Sequence, residues 1–108
     1  MDTYIRSGVY PIRPELPYTP GSDCGGIVAA VGSDVTQFAP GDRVYTHGSV
    51  TGTYAEYCLC TPDQVHALPE AITFEQGAAL GIPYATAYYA LVHKAKAASG
   101  QTLSLIHI

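Results

Sequence analysis

The sequence contains few charged residues and no cluster of basic ones. Lys and Arg total 5 against 9 Asp and Glu, which gives a formal net charge of -4. Because the five cations are spread along the chain, there is no basic stripe that could follow a phosphate backbone. The apolar runs are also far shorter than the roughly 18 residues that a membrane-spanning helix requires. We therefore expect neither nucleic acid nor a membrane to be a partner.

Signals for secretion and for a disulfide framework are missing as well. The first six residues contain neither a charged n-region nor an apolar stretch of the kind that a signal peptide uses. The 3 cysteines are odd in number and unevenly spaced, so they do not indicate a set of paired bridges. We therefore expect a cytoplasmic protein in reducing surroundings.

A glycine-rich nucleotide-binding turn is also absent from the sequence. Among 11 glycines there is no Gly-x-Gly-x-x-Gly and no Gly-x-x-Gly-x-Gly run, the turns with which dinucleotide-binding domains hold a pyrophosphate. The 108 residues, 47% hydrophobic and 13% charged, suit one ordinary globular domain. We expect a nucleotide-binding core to lie outside this chain.

The first half of the chain has the pattern of short strands separated by turns. Turn-forming pairs that contain Gly or Pro interrupt this half of the chain at close intervals. Between them, the β-branched and aromatic content predicts strands at residues 26–31, 42–46 and 54–59, and the last of these alternates between two faces. Short strands at this spacing indicate a small barrel or a curled sheet.

The pattern becomes helical after Pro69. Thr73 and Gln76 have the spacing of a capping box, which predicts a helix to about Leu80. Gly81 and Pro83 then interrupt it. Apolar residues recur at helical spacing over residues 84–95, and Ser99-Gly100 should end this second helix. Residues 102–108 are predicted to form one more strand. Because Ser104 interrupts it, our hypothesis is that residues 104–108 are not the natural continuation of the sequence.

Four segments together resemble zeta-crystallin and related quinone oxidoreductases, a branch of the medium-chain dehydrogenase/reductase superfamily. The similarity runs in order from residue 2 to about residue 103. The segments are Asp2-Thr3-Tyr4-Ile5-Arg6-Ser7-Gly8, Pro20-Gly21-Ser22-Asp23, Gly41-Asp42-Arg43-Val44 and Gly81-Ile82-Pro83-Tyr84-Ala85-Thr86-Ala87-Tyr88.

The resemblance implies a mainly β fold with C-terminal helices. Residues 1–80 would form a partial GroES-like barrel, the catalytic domain of such enzymes. Residues 81–108 would form the linking helix and the start of a truncated Rossmann domain. The whole protein would then be a two-domain homo-oligomer with its cofactor between the domains.

The activity that the resemblance implies is hydride transfer from NADPH to a quinone or a similar α,β-unsaturated carbonyl, with this chain inactive by itself. Two alternatives remain open: a zinc-free enoyl reductase unit of a larger synthase, and a non-catalytic, crystallin-like barrel module. The residues that select NADPH over NADH are expected to lie in the domain outside this chain.

Zinc is not expected to take part. Zinc-dependent relatives carry a His where Ser22 stands, and a Ser is no substitute for that ligand. Cys58 and Cys60 would share one strand face without an accompanying Cys-x-x-Cys motif, so we interpret the cysteines as structural or incidental. No metal-ligating residue is assigned.

The candidate site residues are Tyr4, Asp2 and Thr86, and Arg6 is a neighbour that could act with them. Tyr4 corresponds to the tyrosine that lines the active-site cleft and contacts the cofactor, and it is the predicted catalytic residue; an ordinary barrel tyrosine is the alternative. Asp2 is predicted to bind the cofactor beside Tyr4. Asp2 and Arg6 flank it and would share its face in an extended segment, as a positioning network or as an exposed salt bridge. Thr86 corresponds to a threonine near the nicotinamide amide, and its alternative role is a hydroxyl bonded to its own helix.

The histidines give weaker signals. His47 lies in a Gly-rich stretch that could border the substrate opening, although a surface position without function is favoured. His66, His93 and His107 have no Asp or Ser partner at a usable spacing, so no catalytic triad is predicted.

Overall fold

The computed structural model describes residues 1–104 and 106 of the chain. Its regular elements are short and are joined by long connections. They follow in the order α1 Asp2–Arg6, β1 Asp23–Ile27, β2 Arg43–His47, a 3-10 turn Pro62–Gln64, β3 Val65–Ala67, α2 Phe74–Ala78, a π-helical turn Leu80–Tyr84, α3 Ala85–Tyr88 and a second π-helical segment Tyr89–Lys94.

The three strands form one antiparallel sheet in the order β1-β2-β3. In its register Gly25 is opposite Tyr45, and Tyr45 is opposite His66. The strand predicted at residues 42–46 is confirmed within one residue. The strand predicted at 26–31 begins earlier and ends at Ile27, because beyond it Val28 exchanges single backbone hydrogen bonds with Gly41 and Asp42 instead of continuing the ladder.

The third strand of the sheet is not the one that the alternating pattern predicted. Residues 54–59 form no strand, so that prediction was wrong. Isolated hydrogen bonds fix the two ends of this segment. The Tyr54 amide donates to the Pro20 carbonyl oxygen at 3.0 Å, the Val50 amide donates to the Leu59 carbonyl oxygen at 2.7 Å, and the Leu59 amide donates to the Thr51 hydroxyl at 2.9 Å. The sheet is completed by β3, which the sequence pattern did not reveal because it has only three residues.

The N-terminal residues fold differently from the prediction. Asp2–Arg6 is a helix and not an extended segment. In a helix, positions four apart lie on one face, and the position between them lies nearly opposite. Asp2 and Arg6 therefore share a face, and the side chain of Tyr4 points away from it. The prediction that all three share one face is corrected.

The capping box at the start of α2 is confirmed. The Thr73 hydroxyl accepts a hydrogen bond from the Gln76 amide at 3.2 Å, and the Thr73 amide donates to Gln76 Oε1 at 3.0 Å. Each partner satisfies an N–H group that the first helical turn leaves free. Helix α2 lies against β1 and β2, and its Gly77 is buried beneath Leu68 and Tyr45.

The predicted interruption after α2 is also present. Gly81 has a non-helical ψ of -114° and Pro83 lies within the same turn, so the helical path changes direction before α3. The helix then runs to Lys94, and Lys96 adopts a positive φ of 52°. Its end therefore comes a few residues before the predicted stop at Ser99-Gly100.

The core is small for a chain of this length. Val44 and Leu68 are the buried large apolar residues in the described part of the chain, and the buried Thr46 lies beside them. The radius of gyration is 16.6 Å, compared with about 13 Å for a compact domain of 100 residues. No described helix has the length and apolar character needed to cross a membrane.

The predicted tail strand is absent from the residues that the structure describes. Residues 102–104 belong to no strand. Leu105, His107 and Ile108 lie outside the described residues, so the remainder of that prediction stays untested.

Candidate active site

A cleft of about 410 Å³ opens between the sheet and the start of the long helical segment. One wall comes from β2 and β3 and the other from the π-helical turn and α3. The residues that line it are Tyr45, His47, His66, Leu80, Gly81, Ile82, Ala85 and Thr86. The cleft therefore combines an apolar wall with a few polar groups, as small-molecule sites commonly do.

The position of the helical wall is fixed by a contact with β1. Oδ1 of Asp23 accepts a hydrogen bond from the Ile82 amide at 2.8 Å. Gly81 allows this close approach, since an added Cβ would lie 2.5 Å from both Asp23 Oδ1 and the Thr46 carbonyl oxygen. Two of the segments that carry the family resemblance thus meet here, one at Asp23 and the other at residues 81–82.

Two histidines face each other across neighbouring strands on the opposite wall. Nδ1 of His47 lies 2.8 Å from Nε2 of His66, and their rings stack with centroids 4.9 Å apart. The Tyr45 ring lies against the His66 ring, with the two centroids 5.1 Å apart. In such a pair one ring nitrogen donates a proton and the other accepts it. The two rings can therefore share one proton at the edge of the cleft.

Sequence reasoning missed this pair. It placed His47 in a surface loop and found no partner for His66. His47 is in fact the last residue of β2, and the pairing of β2 with β3 brings the second ring to it. The signal was present in the Val65-His66-Ala67 run, but a three-residue strand is too short to be predicted from its pattern.

Thr86 lies on the first turn of α3 and lines the cleft. Its hydroxyl forms no hydrogen bond to its own helix in the described part of the chain, so the alternative role predicted for it is not observed. The hydroxyl is therefore free to meet a bound molecule. Its role toward a cofactor stays a prediction.

Tyr4 and Asp2 are placed elsewhere. Both belong to α1, and neither is among the residues that line this cleft. The Tyr4 side chain is 61% exposed, while its carbonyl oxygen accepts hydrogen bonds from Val9, Tyr10 and Ser7 that close the end of the helix. Their predicted part in cofactor binding stays a prediction.

Ser22 takes part in backbone packing. Its carbonyl oxygen accepts a hydrogen bond from the Gly48 amide at 2.8 Å, which ties the end of β2 to the start of β1. Within residues 1–104 and 106, no three His, Cys, Asp or Glu side chains are arranged to hold a metal ion.

The antiparallel sheet, the helix packed on it and the cleft beside the linking helix define the class of the chain. The family of alcohol dehydrogenase GroES-like domains matches residues 1–70. The chain belongs to this family.

Individual relatives narrow the similarity to quinone oxidoreductases. The chain is 54% identical to quinone oxidoreductase of Sus scrofa and 51% identical to that of Homo sapiens, over 107 residues in each case. These alignments cover 99% of this chain and 32% of each relative. The resemblance found in the sequence is thereby confirmed, and the chain spans about a third of the length of these relatives.

Solved structures give the same result. The Escherichia coli quinone oxidoreductase complexed with NADPH matches with a TM-score of 0.75 and 44% identity, over 87% of this chain and 28% of that one. The human synaptic vesicle membrane protein VAT-1 homolog-like protein matches with a TM-score of 0.79 and 34% identity, over 92% of this chain and 31% of that one. The partial GroES-like fold predicted from the sequence is confirmed.

Proposed function

We propose that this chain is the barrel part of a zinc-free, NADPH-dependent quinone oxidoreductase. The observation that carries the proposal is the identity of 51–54% to quinone oxidoreductases along 99% of the chain. Support for NADPH as the cofactor comes from the complex of the Escherichia coli relative. The substrate would be a quinone or a similar α,β-unsaturated carbonyl.

The cleft suits the nicotinamide end of the cofactor together with a flat substrate. Leu80, Ile82 and Tyr45 offer apolar surface to a ring, and the Thr86 hydroxyl offers a hydrogen bond to a polar substituent such as an amide. When bound, NADPH supplies the hydride. The chain's own residues orient the rings and exclude water, which is the protein's usual share in such chemistry.

The His47–His66 pair is suited to supply the second proton that quinone reduction needs. Reduction of a quinone to a hydroquinone takes up two electrons and two protons, of which the hydride brings both electrons and one proton. The second proton must reach a carbonyl oxygen. The paired imidazoles border the cleft, so they are suited to hold that proton beside the oxygen that becomes negatively charged.

An exposed aromatic face supports the view that further chain packs on this domain. Tyr84, Tyr88, Tyr89 and Val92 are 60%, 49%, 53% and 43% exposed along the helical segment. Contiguous apolar surface of this kind usually marks a contact region. We propose that a Rossmann domain covers it in the whole protein, and that the whole protein forms its homo-oligomer through that second domain.

A titration of the 108-residue chain with NADPH, followed by nicotinamide fluorescence and calorimetry, tests whether a second domain is needed to bind the cofactor. We expect no measurable binding by a folded sample, because a pyrophosphate needs the glycine turn and helix start that this chain does not contain. Micromolar binding would contradict the proposal that a second domain holds the cofactor. Circular dichroism of the same sample verifies that it is folded.

A further inference from the structure

The three cysteines lie side by side although they come from distant parts of the sequence. Sγ of Cys24 is 3.8 Å from Sγ of Cys58, and Sγ of Cys58 is 3.9 Å from Sγ of Cys60. All three are free thiols and half-buried. Cys58 is thus the common neighbour of the other two.

The surrounding structure holds each thiol by a different connection. Cys24 belongs to β1, where its amide donates to the hydroxyl of the buried Thr46 at 3.1 Å. Cys60 contacts the Gly48 carbonyl through its sulfur at 3.9 Å. Cys58 lies in the irregular segment of residues 54–59, which few backbone hydrogen bonds fix. A bond from its sulfur to β1 would therefore tie a loosely held segment to the sheet.

Small reagents can reach the three thiols. A second cleft, of about 610 Å³, has all three among its lining residues, together with Val44 and Thr46 from β2. It lies apart from the His47–His66 cleft, with which it shares no lining residue. Because the thiols form no metal-holding group in the described part of the chain, thiol oxidation is the chemistry that the geometry favours.

We propose that Cys24 and Cys58 form a reversible intramolecular disulfide when a peroxide oxidises the protein. The sulfur of one thiol first attacks a peroxide oxygen, the O–O bond breaks, and a sulfenic acid and water result. The second sulfur then attacks the first, the S–S bond forms, and a second water leaves. Two thiols lose two electrons in total, and one hydrogen peroxide is reduced to two waters.

Cys60 is not needed for this bond. Its sulfur lies 3.9 Å from that of Cys58, but burial raises the pKa of its thiol, so little thiolate is present at neutral pH to displace Cys24 from the disulfide. We therefore expect Cys60 to remain a free thiol, and an added reductant to return the bridge to two thiols.

The thiol environment sets the rate of this oxidation. Burial, followed by the nearby Cys24 and Cys60, raises the pKa of the Cys58 thiol to about 12, and burial also raises the pKa of Cys60. Since the thiolate is the reactive form, oxidation is slow at neutral pH. Attack by Cys58 should accelerate about tenfold for each unit by which the pH rises, as long as the pH stays below the pKa of this thiol.

Mass spectrometry of the chain after treatment with hydrogen peroxide tests the proposal. We expect the monomer to lose two hydrogen masses, one of three thiols to remain open to alkylation, and peptide mapping to join Cys24 to Cys58. Dithiothreitol should restore all three thiols. Three reactive thiols after treatment, a Cys58–Cys60 bridge or a bridge between two chains would each overturn the proposal.

Variants sharpen the test. Cys58→Ala and Cys24→Ala should abolish the loss of two hydrogen masses, and the matched control Cys60→Ala should retain it. A loss of two hydrogen masses in Cys24→Ala would contradict the assignment of the bridge to Cys24 and Cys58. The mapping of the unaltered chain needs no variant, so the proposal stays testable if one of them fails to fold.

Discussion

Asp23 Oδ1 accepts a hydrogen bond of 2.8 Å from the backbone amide of Ile82, 59 residues further along the chain. This bond fixes the start of the helical segment at the edge of the sheet and so sets the width of the cleft between Thr86 and the histidine pair. One carboxylate thus links the sheet to the helical wall of the candidate site.

Removal of this carboxylate should loosen the cleft wall. We expect Asp23→Ala to lower the free energy of unfolding by about 1–2 kcal/mol, because the Ile82 amide loses a charged acceptor. Asp34→Ala is the matched control, since among the described residues that carboxylate hydrogen-bonds only to its exposed neighbour Ser33. Urea unfolding followed by circular dichroism measures both. Equal midpoints for the two variants would contradict the role given to Asp23.

Two adjacent glycines should respond differently to the same substitution. An added Cβ at Gly25 would collide with the backbone carbonyl of Phe74, at the start of α2, whereas a Cβ at Gly26 would meet open space. We therefore expect Gly25→Ala to destabilise the chain by about 1–3 kcal/mol and Gly26→Ala to change it little. Thermal unfolding of the pair measures the difference, and similar melting temperatures would show that α2 does not pack as described.

Arg43 of the Gly41-Asp42-Arg43-Val44 motif should stabilise the packing of α2. Its guanidinium donates to the Ile72 carbonyl oxygen at 2.6 Å and lies 4.2 Å from the centre of the Phe74 ring. Arg43→Ala should cost about 2 kcal/mol, and the exposed Arg13→Ala serves as the control. An Arg43→Ala chain as stable as its control would rule out this anchoring of α2.

The Cys58 thiol should make the chain less stable at high pH. Its pKa is raised from 9.0 to about 12 in the folded chain, so below pH 9 the thiol is protonated in both states and costs nothing. As the pH rises from 9 toward 12, the unfolded chain loses this proton before the folded chain does, and the folded state becomes less stable.

Unfolding under reducing conditions across that pH range measures the effect. The free energy of unfolding should fall more steeply for the unaltered chain than for Cys58→Ala. Parallel pH profiles for the two would contradict the raised thiol pKa.

The histidine pair should matter for turnover in the whole protein. His66→Phe and His47→Ala should each lower the rate of quinone reduction on the order of 10²-fold, the low end of what a positioned proton donor contributes. The double variant should be no slower than the single ones, because the two rings act as one unit. His93→Ala, at the far end of the helical segment, is the control. Unchanged rates in both single variants would remove the pair from the reaction.

Local signals in the sequence predicted local structure well. Thr73 and Gln76 are three residues apart and make the bonds that their spacing predicts, and Gly81 interrupts the helix as expected. The histidine pair, in contrast, depends on the pairing of β2 with β3, which joins residues 19 positions apart. Alternation at residues 54–59 indicated a strand, but only isolated hydrogen bonds hold that segment. Thr86, which the resemblance assigned to the cofactor, lines the cleft, whereas Asp2 and Tyr4, assigned to the same site, do not; the cofactor roles of all three stay predictions.

The most direct test of the proposed function is the consumption of NADPH by the whole protein in the presence of a simple quinone, with and without a metal chelator. We expect NADPH to be oxidised only when quinone is added, at a rate that the chelator does not change. No quinone-dependent oxidation by the folded protein would contradict the proposed activity. Activity that the chelator abolishes and zinc restores would contradict the zinc-free mechanism.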